Sequence, residues 1–158
     1  MPMPISLEDA QKEYGISYSY EIMDNGERRF RLHGPDKSSY IRTETFQDGW
    51  QNSHHHKCLK EVYVVENGWM ILAILDRDSL SLSRFPPGSV ATINPNVIHN
   101  IFLPEFTVIH TIKVNPLIDK DWFASEALDQ LTHKINKVEL VKIPFYDLKM
   151  NFGVENEK

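Results

Sequence analysis

The stretch that decides the fold is Gly49-Trp-Gln-Asn-Ser-His-His-His-Lys-Cys-Leu-Lys-Glu61, in which a run of three histidines stands shortly before a glutamate. If this segment is extended, residues two apart point to the same side, with Cβ atoms roughly 6–7 Å apart. His54 and His56 can then offer their imidazoles to one ion while His55 points the other way. Glu61 begins the next predicted strand and can offer a carboxylate to the same ion.

A further ligand must come from a distant part of the chain. His99 is the natural candidate, because it follows the Asn94-Pro95-Asn96 turn at the start of another predicted strand. Three imidazoles and a carboxylate suit Fe(II), Mn(II), Co(II), Ni(II) or Zn(II) better than Mg(II) or Ca(II). An octahedral ion held in this way keeps two neighbouring positions for water or substrate. On these residues alone, a polar loop explains the histidine run equally well.

Around this stretch the sequence has the pattern of short β-strands separated by turn residues. Strands are predicted at 16–23, 27–32, 39–46, 61–65, 69–75, 79–84, 90–93, 97–103 and 106–114. Asn25-Gly26 is a pair that two-residue type I′ hairpin turns favour, and a second Asn-Gly pair stands at 67–68. Many short strands at close spacing indicate a sandwich or a barrel.

The two ends of the chain have a different pattern. Ser6 is predicted to cap a helix over 7–14 that stops at Gly15. Near the other end, four apolar residues recur at helical spacing and predict a helix packed on the β-structure: Trp122, Phe123, Leu128 and Leu131. Beyond it, residues 138–143 are predicted to form a short edge strand and residues 151–158 a frayed tail.

The spacing of the predicted ligands resembles the two sequence motifs of the cupin superfamily. The first cupin motif has a Gly, a His-x-His pair, a Glu three or four residues later, and a closing Gly after six more residues. The second has a Gly, five residues, Pro-x-Gly, two residues, a His, and a late Asn. The positions that match the two motifs here are Gly49, His54, His56, Glu61 and Gly68, then Gly88, 94–96 and His99. The resemblance covers residues 46–114 and implies that His54, His56, Glu61 and His99 bind one divalent transition-metal ion.

Several positions depart from the cupin pattern. Gly49 stands one residue closer to the first histidine than is usual, Asn94 and Asn96 replace Pro and Gly, and Leu103 replaces the late Asn. A type II turn needs a positive φ at its third position, which Asn tolerates better than most residues, and Pro95 presets the bend. We therefore expect the turn to form, and none of the departures removes a ligand.

The resemblance implies a mainly β fold. The expected architecture is a single cupin double-stranded β-helix, which is a jelly-roll-like barrel, with a short N-terminal helix and a C-terminal helix packed outside. Residues 1–35 would hold the first helix and a hairpin of the same domain, 36–116 the barrel core, and 117–158 the C-terminal helix and tail.

Four further side chains are candidates for the pocket. Within 106–114 the more apolar alternate face is predicted to point inward, which would place His110 beside the metal as an acid or base; a hydrogen-bonded core histidine is the alternative. Tyr63 shares a face with Glu61, so its hydroxyl either reaches the cavity or its ring simply fills the barrel. Arg42 and Arg84 are candidates to bind a carboxylate or phosphate, although salt bridging at strand edges is the more common use.

Composition narrows the partners. At 158 residues the chain fits one domain, and its net charge of −5, without a run of Lys or Arg, argues against nucleic acid. Cys58 is the only cysteine, so an intrachain disulfide is impossible. The start lacks the features of a signal peptide, and the longest apolar run, 69–75, is too short to cross a membrane. The sequence therefore predicts a cytoplasmic protein that binds neither membrane nor nucleic acid.

The resemblance leaves three functions open. The first is a metal-dependent isomerase or epimerase of a small oxygen-rich metabolite such as a sugar or keto acid, in which the ion stabilises an enediolate and His110 or Tyr63 moves the proton. The second is an Fe(II) or Ni(II) dioxygenase, and the third is a module that binds a small molecule without turnover. A homodimer formed through the hairpin at 16–32 is also implied, since dimerisation would cover an exposed strand edge.

Overall fold

The computed structural model describes residues 4–146, and within them the fold is mainly β. The helices are α1 (Leu7–Tyr14), α2 (Glu126–Thr132) and α3 (Lys137–Leu140). The strands are β1 (Ser17–Ile22), β2 (Arg28–His33), β3 (Ser39–Glu44), β4 (Gly49–Trp50), β5 (His54–His55), β6 (Lys60–Asn67), β7 (Met70–Asp76), β8 (Ser79–Phe85), β9 (Val90–Ile93), β10 (Ile98–Leu103), β11 (Val108–Val114) and β12 (Phe123–Ala124). The predictions for residues 1–3 and for the tail at 151–158 lie outside the described residues.

The strands form two antiparallel sheets. The first sheet has the order β1-β2-β3-β11-β6-β9, and the second has the order β12-β5-β10-β7-β8 with β4 also paired to β10. The Asn-Gly pair at 67–68 therefore joins strands of different sheets rather than closing a hairpin. Gly68 makes this passage with a φ of +75°, and a Cβ there would collide with Oγ1 of Thr107, so only glycine fits.

The first hairpin, β1–β2, closes with a three-residue loop. The N–H of Met23 donates to the carbonyl of Glu27 at 2.8 Å, and the N–H of Gly26 donates to the carbonyl of Met23 at 2.8 Å. Within this loop only Gly26 has a positive φ, at 81°, whereas a type I′ turn needs positive φ at both central residues. The predicted two-residue turn at Asn25-Gly26 is therefore wrong.

Apolar side chains pack on both faces of the second sheet. Between the sheets lies a core cluster of Tyr63, Val65, Met70, Leu72, Phe85, Ala91, Ile93, Ile101, Leu103 and Ile109. On the outer face, Ile71 and Phe102 pack with Leu140 of α3. Because both faces of β7 are covered, its sequence is almost continuously apolar rather than alternating, and β10 is apolar at four of its six positions.

The helical spacing around Trp122 predicts a helix that begins too early. Phe123–Ala124 is β12, paired with the two residues of β5. The helix α2 begins only at Glu126, after Ser125, whose hydroxyl accepts the N–H of Leu128 at 3.4 Å as an N-cap. The cap residue overrides the apolar spacing because it satisfies a backbone donor at the helix start.

The prediction of an edge strand over 138–143 is also wrong, because Lys137–Leu140 is the helix α3. Asn136 and Glu139 form a capping box, with each side chain accepting the other residue's backbone N–H, at 3.2 and 3.0 Å. These two reciprocal caps satisfy backbone donors at the helix start and so stabilise a helix here.

At the other end, the predicted helix over 7–14 is confirmed as α1. Ser6 caps it by accepting the N–H of Asp9 at 3.0 Å, and Gly15 ends it with a φ of 66°. No helix among residues 4–146 is both long and apolar enough to cross a lipid bilayer.

Candidate metal centre

Four side chains from both sheets converge at one end of the space between the sheets. His54 lies on β5 directly opposite His99 on β10, and His56 follows β5. Glu61 faces them from β6 of the first sheet. All four are buried, with Glu61 and His99 only 1% exposed. The fold therefore brings together two stretches of chain that are far apart in the sequence.

The donor atoms surround the Glu61 carboxylate. Its Oε1 lies 2.7 Å from Nε2 of His56 and 3.8 Å from Nε2 of His54, and its Oε2 lies 3.1 Å from Nε2 of His99. One ligand atom from each of His54, Glu61 and His99 can be chosen so that all lie within 4.8 Å of one another. This spacing is compatible with a single ion between them.

The other ring nitrogen of each histidine fixes its tautomer. Nδ1 of His54 lies 2.8 Å from the carbonyl of Asn52, and Nδ1 of His99 lies 2.9 Å from the carbonyl of Val97. Nδ1 of His56 contacts the carbonyl of Asp121. A carbonyl can only accept, so each Nδ1 carries the proton, and in a neutral ring Nε2 presents a lone pair. Such outer hydrogen bonds are the usual way in which proteins orient metal-binding imidazoles.

The chemistry of this donor set fits a cation. In the neutral tautomers, the lone pairs on Nε2 of His56 and His99 face the negative oxygens of Glu61, which is repulsive unless a positive charge lies between them. Among the described residues, Nε2 of His54 is buried without a hydrogen-bond partner. A bound ion would satisfy all these atoms together, and three imidazoles with one carboxylate form a set that suits divalent transition metals.

The ionisation of the site follows from its burial and its charges. Burial lowers the pKa of His54, with the Glu61 carboxylate opposing this shift, so the neutral ring that a metal needs is favoured. Burial alone would raise the pKa of Glu61, but the three imidazoles and the Lys113 ammonium outweigh it and hold that pKa well below its usual range. The carboxylate is therefore ionised and available as a ligand.

The Asn94-Pro95-Asn96 turn supports one of the ligands. Asn96 has the expected positive φ, at 65°, and its N–H donates to the carbonyl of His56 at 2.6 Å. The turn of the second motif thus holds the backbone of a ligand in the first. His55 points away from the four predicted ligands, which we call the metal cluster, as expected. Its ring stacks on Phe123 at 5.3 Å.

Two residues that sequence reasoning missed shape the centre. The Asp121 carboxylate accepts the N–H groups of Lys57, Cys58 and Leu59 at 2.6, 2.8 and 2.9 Å, which fixes the loop after His56. Burial raises the pKa of Asp121, but these three donors outweigh it and hold the pKa below its usual range. The ring of Trp122 stacks on His54 at 5.3 Å. Both residues lie outside the metal-binding stretches, and no spacing rule links them to the ligands.

A cavity of about 280 Å³ adjoins the cluster. Its walls include His54 and Glu61, and three cationic side chains also line it: Arg29, Arg31 and Lys113. No sequence pattern indicates that these three residues line the cavity. They reach the cavity because the inward face of the first sheet contains Arg29 and Arg31 of β2 and Lys113 of β11.

Tyr63 lies beside Glu61 inside the barrel, as the alternation predicts. Its hydroxyl donates to Oε2 of Glu61 at 2.5 Å and lies 3.4 Å from Nε2 of His99. Burial raises the pKa of Tyr63, and the negative charge of Glu61 raises it further. The phenol is therefore protonated and oriented toward the carboxylate.

The expectation that His110 faces the cavity is wrong. The inward residues of β11 are Thr111 and Lys113, which line the cavity, whereas Nδ1 of His110 pairs with the Tyr40 hydroxyl at 2.6 Å on the other face of the sheet. The error arose because the outer face of β11 is also apolar, since Ile112 lies there opposite Tyr40. Hydrophobicity alone therefore cannot orient this strand.

Arg42 and Arg84 also lie away from the cavity, contrary to expectation. Arg42 is on the outer face of the first sheet, where it pairs with Glu44 at 3.4 Å. The Arg84 guanidinium lies over the rings of Trp69 and Phe145 and donates to the carbonyl of Val141 at 2.9 Å. Arg84 holds the C-terminal segment against the second sheet, because cation–π and backbone contacts both use its guanidinium.

Comparison by sequence finds no match among protein-family profiles or curated proteins. Solved structures do match. Oxalate decarboxylase from Bacillus subtilis aligns over 82% of this chain and 38% of its own, with 12% identity and a TM-score of 0.57. The CENP-C cupin domain of Drosophila melanogaster aligns over 70% of this chain and 85% of its own, with 14% identity and a TM-score of 0.52.

A third match is the capsular polysaccharide assembling protein CapF from Staphylococcus aureus, with 18% identity, a TM-score of 0.53, and alignment over 67% of this chain and 32% of its own. The present chain thus spans only about a third of the two bacterial proteins. At these identities the likeness concerns the fold. It extends to an enzyme and to a domain solved in complex with a protein, CAL1.

Proposed function

We propose that this chain, which has the fold of the cupin superfamily, binds one divalent transition-metal ion through His54, His56, Glu61 and His99. The ion would bind a small oxygen-rich metabolite that occupies the adjoining cavity. The observation that carries the proposal is the orientation of the imidazoles, since each Nδ1 meets a backbone carbonyl and the Nε2 lone pairs surround one buried carboxylate. Fe, Mn, Co, Ni and Zn are all compatible with this donor set.

The reaction class that we propose first is isomerisation or epimerisation of a sugar or keto acid. When bound, a divalent ion supplies Lewis acidity that stabilises negative charge on substrate oxygens. Tyr63 donates a hydrogen bond to Glu61 and so orients this metal-binding carboxylate. Lys113, at 3.2 Å from Glu61 Oε1, lies at the cavity wall, where its ammonium group can donate a proton to a substrate oxygen. These roles replace the one expected of His110.

A second candidate, binding without turnover, is favoured by a specific observation. In the described part of the chain, the cavity is lined by no histidine outside the metal cluster. A dedicated imidazole acid or base is therefore missing, and a binder or sensor needs none. The dioxygenase alternative has the same donor set, and the likeness to oxalate decarboxylase concerns the fold alone.

Metal analysis of matched histidine variants tests the proposal. We expect purified protein to hold about one equivalent of metal per chain, and His56→Ala to lose most of it while the far-ultraviolet circular dichroism is unchanged. His55→Ala is the control, because this neighbour points away from the cluster and its loss should leave the metal content intact. Full metal retention by His56→Ala would contradict the ligand assignment.

Two assays then separate the functions. Solvent deuterium entering the carbon adjacent to a carbonyl of a sugar or keto acid, in the presence of metal-loaded protein, would support the isomerase. Oxygen consumption by the iron-loaded protein would support the dioxygenase instead. Saturable binding with neither signal would support the module without turnover.

We also propose a homodimer through the hairpin of β1 and β2. The strand β1 lies at the edge of the first sheet, and its residues Tyr20 and Ile22 are 61% and 69% exposed. An exposed apolar edge strand is prone to pair with another chain. Sedimentation at micromolar concentration should give a dimer that Ile22→Lys weakens, and a monomeric wild type would contradict this proposal. A cytoplasmic location remains a prediction from the sequence.

A further inference from the structure

The cavity beside the cluster is lined by an unusual number of cations. Arg29 and Arg31 stand two residues apart on the inward face of β2, and Lys113 reaches the same space from β11. Their side chains are 18%, 22% and 22% exposed, so all three are largely withdrawn from solvent. Cations in such a place raise the local affinity for anions, because the low-dielectric walls screen them less than water does.

Protein carboxylates neutralise these cations only in part. Both Nε and Nη2 of Arg29 donate to the buried Glu27 carboxylate, at 2.9 and 2.5 Å. Glu27 therefore neutralises the charge of Arg29. Arg31 uses only Nε, toward Glu21 at 3.2 Å, and Glu21 is 46% exposed. Among residues 4–146 the terminal nitrogens of Arg31 have no protein acceptor, and a half-exposed partner compensates its charge weakly.

The third cation, Lys113, has a partner that the metal would share. Its ion pair within the described residues is with Glu61 Oε1 at 3.2 Å. If Glu61 binds a divalent ion, its single negative charge is divided between that ion and Lys113. The cavity then contains more positive than negative charge, and it would attract an anionic ligand.

The hydrogen-bonding capacity of these residues distinguishes a carboxylate from a sugar. Guanidinium and ammonium groups only donate, so they match a ligand that only accepts. A carboxylate is such a ligand, and the planar fork of Arg matches it in shape. A sugar hydroxyl must also donate, which the three cations cannot accept, so the acceptors for a sugar in this cavity would have to be neutral residues such as Gln51, Asn52 and Thr111. The charged side chains themselves therefore favour a carboxylate.

The size of the cavity limits the ligand further. About 280 Å³ lies just below the range of roughly 300–1,000 Å³ that is typical of pockets for drug-sized ligands. A metabolite of a few carbon atoms fits such a space.

We infer that the ligand of this centre is a small carboxylate, with Arg31 and Lys113 as its charge partners beside the ion. The inference rests on the proposed function, because it needs the metal in place. It deepens that function by favouring organic acids over neutral sugars. It also assigns ligand binding to Arg31 and Lys113 rather than to Arg42 and Arg84.

A matched pair of probes tests the inference. Lactate and lactamide have nearly the same shape and differ in charge, and calorimetric titration of zinc-loaded protein gives the affinity for each. We expect lactate to bind at least tenfold more tightly than lactamide or xylose. Because zinc itself prefers a carboxylate to an amide, the decisive quantity is the ratio of the two affinities in variants of the protein.

Arg31→Gln should lower the lactate-to-lactamide ratio by about tenfold, the effect of one charge-assisted hydrogen bond, with its zinc content unchanged. Arg28→Gln is the control, since Arg28 lies on the outer face of the same strand over the ring of Phe46. Lys113→Gln provides a second variant should Arg31→Gln fail to fold, and we expect the same fall in the ratio.

The outcomes separate this inference from the proposed function. A zinc-loaded Arg31→Gln or Lys113→Gln protein whose ratio equals that of the wild type would overturn the inference and leave the metal site standing. Tighter binding of xylose or inorganic phosphate than of lactate, or no lactate binding at millimolar concentration, would overturn it as well. A wild-type protein that holds no zinc or other transition metal would contradict both the proposed metal site and the inference about its ligand.

Discussion

The space between the two sheets has two ends that differ sharply, although the same strands build both. At the polar end, the inward side chains are Glu61 and Tyr63 of β6, His99 of β10, and Thr111 and Lys113 of β11. At the apolar end, the same strands contribute Val65, Ile101, Leu103 and Ile109. Each strand thus changes from polar to apolar along one face without a break in its alternation.

The two ends make opposite contributions to stability. Burying apolar surface at the apolar end is favourable by about 25 cal/mol per Å². Burying Glu61 at the polar end is unfavourable unless opposite charge surrounds it, because a carboxylate loses its water there. The comparison suggests that the apolar end holds the fold together and that the polar end is retained for ligand binding, with the metal offsetting its cost.

The largest effect is expected at the apolar end. Leu103 is fully buried, and Leu103→Ala should lower the free energy of unfolding by about 2–5 kcal/mol, as large-to-small substitutions in cores do. Its position on β10 is four residues from His99, so metal affinity of the folded protein should change little. Urea denaturation and a metal titration measure the two quantities. A large loss of metal affinity would contradict the claim that the apolar end stabilises the fold without contributing to metal binding.

The second-largest expected effect is the stabilisation of the fold by zinc bound at the polar end. Zinc at about a hundred times its dissociation constant should raise the free energy of unfolding by about 2.7 kcal/mol, because it binds the folded state alone. Glu61→Gln should abolish most of this increment, and Leu103→Ala should keep it. Thermal denaturation with and without zinc measures the increment, and Glu66→Gln on the exposed end of β6 is the control. An unchanged increment in Glu61→Gln would contradict the role of this carboxylate.

A smaller effect is expected at the loop that supports the polar end. Asp121→Asn replaces one acceptor oxygen with a donor facing backbone N–H groups, which should cost about 1–3 kcal/mol and lower zinc affinity by about tenfold. The folded-state pKa of Asp121 is lowered, so its contribution is present above the unfolded value near 3.8 and is lost as the pH falls below it.

The stability difference between Asp121→Asn and the wild type should therefore shrink as the pH falls below about 4, because the carboxyl of the unfolded wild type becomes protonated there while the folded state still keeps it ionised. Denaturation series from pH 7 to pH 3 measure this trend. Asp119→Asn, at an exposed ion pair with Lys37, is the control and should show a small effect throughout. A difference that grows toward low pH would refute the proposed hydrogen bonding.

The smallest effect is expected outside both ends. Arg42 and Glu44 form a partly exposed pair on the outer face, so Arg42→Gln should change the free energy of unfolding by less than about 0.5 kcal/mol. The affinities for zinc and lactate should also stay the same. A marked loss of lactate binding in this variant would show that Arg42 takes part in ligand binding and would contradict this prediction.

Local spacing in the sequence predicts the short β-strands and the candidate ligands, whereas the resemblance to the cupin motifs implies the barrel and the convergence of His99 with the other ligands. Two histidines on one side of an extended segment, a glutamate at the next strand and a turn before His99 all reflect short-range geometry. The spacing does not predict what surrounds the cluster. Arg29 and Arg31 reach the cavity through the pairing of β2 with β3, which no local pattern specifies.

The wrong predictions share a physical reason. Hydrophobicity predicts His110 on the inward face, and this criterion fails where both faces of a sheet carry apolar side chains. The sequence predicts an edge strand at 138–143, although the Asn136–Glu139 capping box determines the structure. In both places a specific partner, and not the average pattern, decides the conformation.

The most direct test of the central claim is a crystal structure of the zinc-loaded protein measured above and below the zinc absorption edge. We predict a single anomalous peak about 2.0–2.2 Å from Nε2 of His54, His56 and His99 and from a carboxylate oxygen of Glu61. A peak bound elsewhere, or the four side chains in place with no peak among them at saturating zinc, would contradict the account.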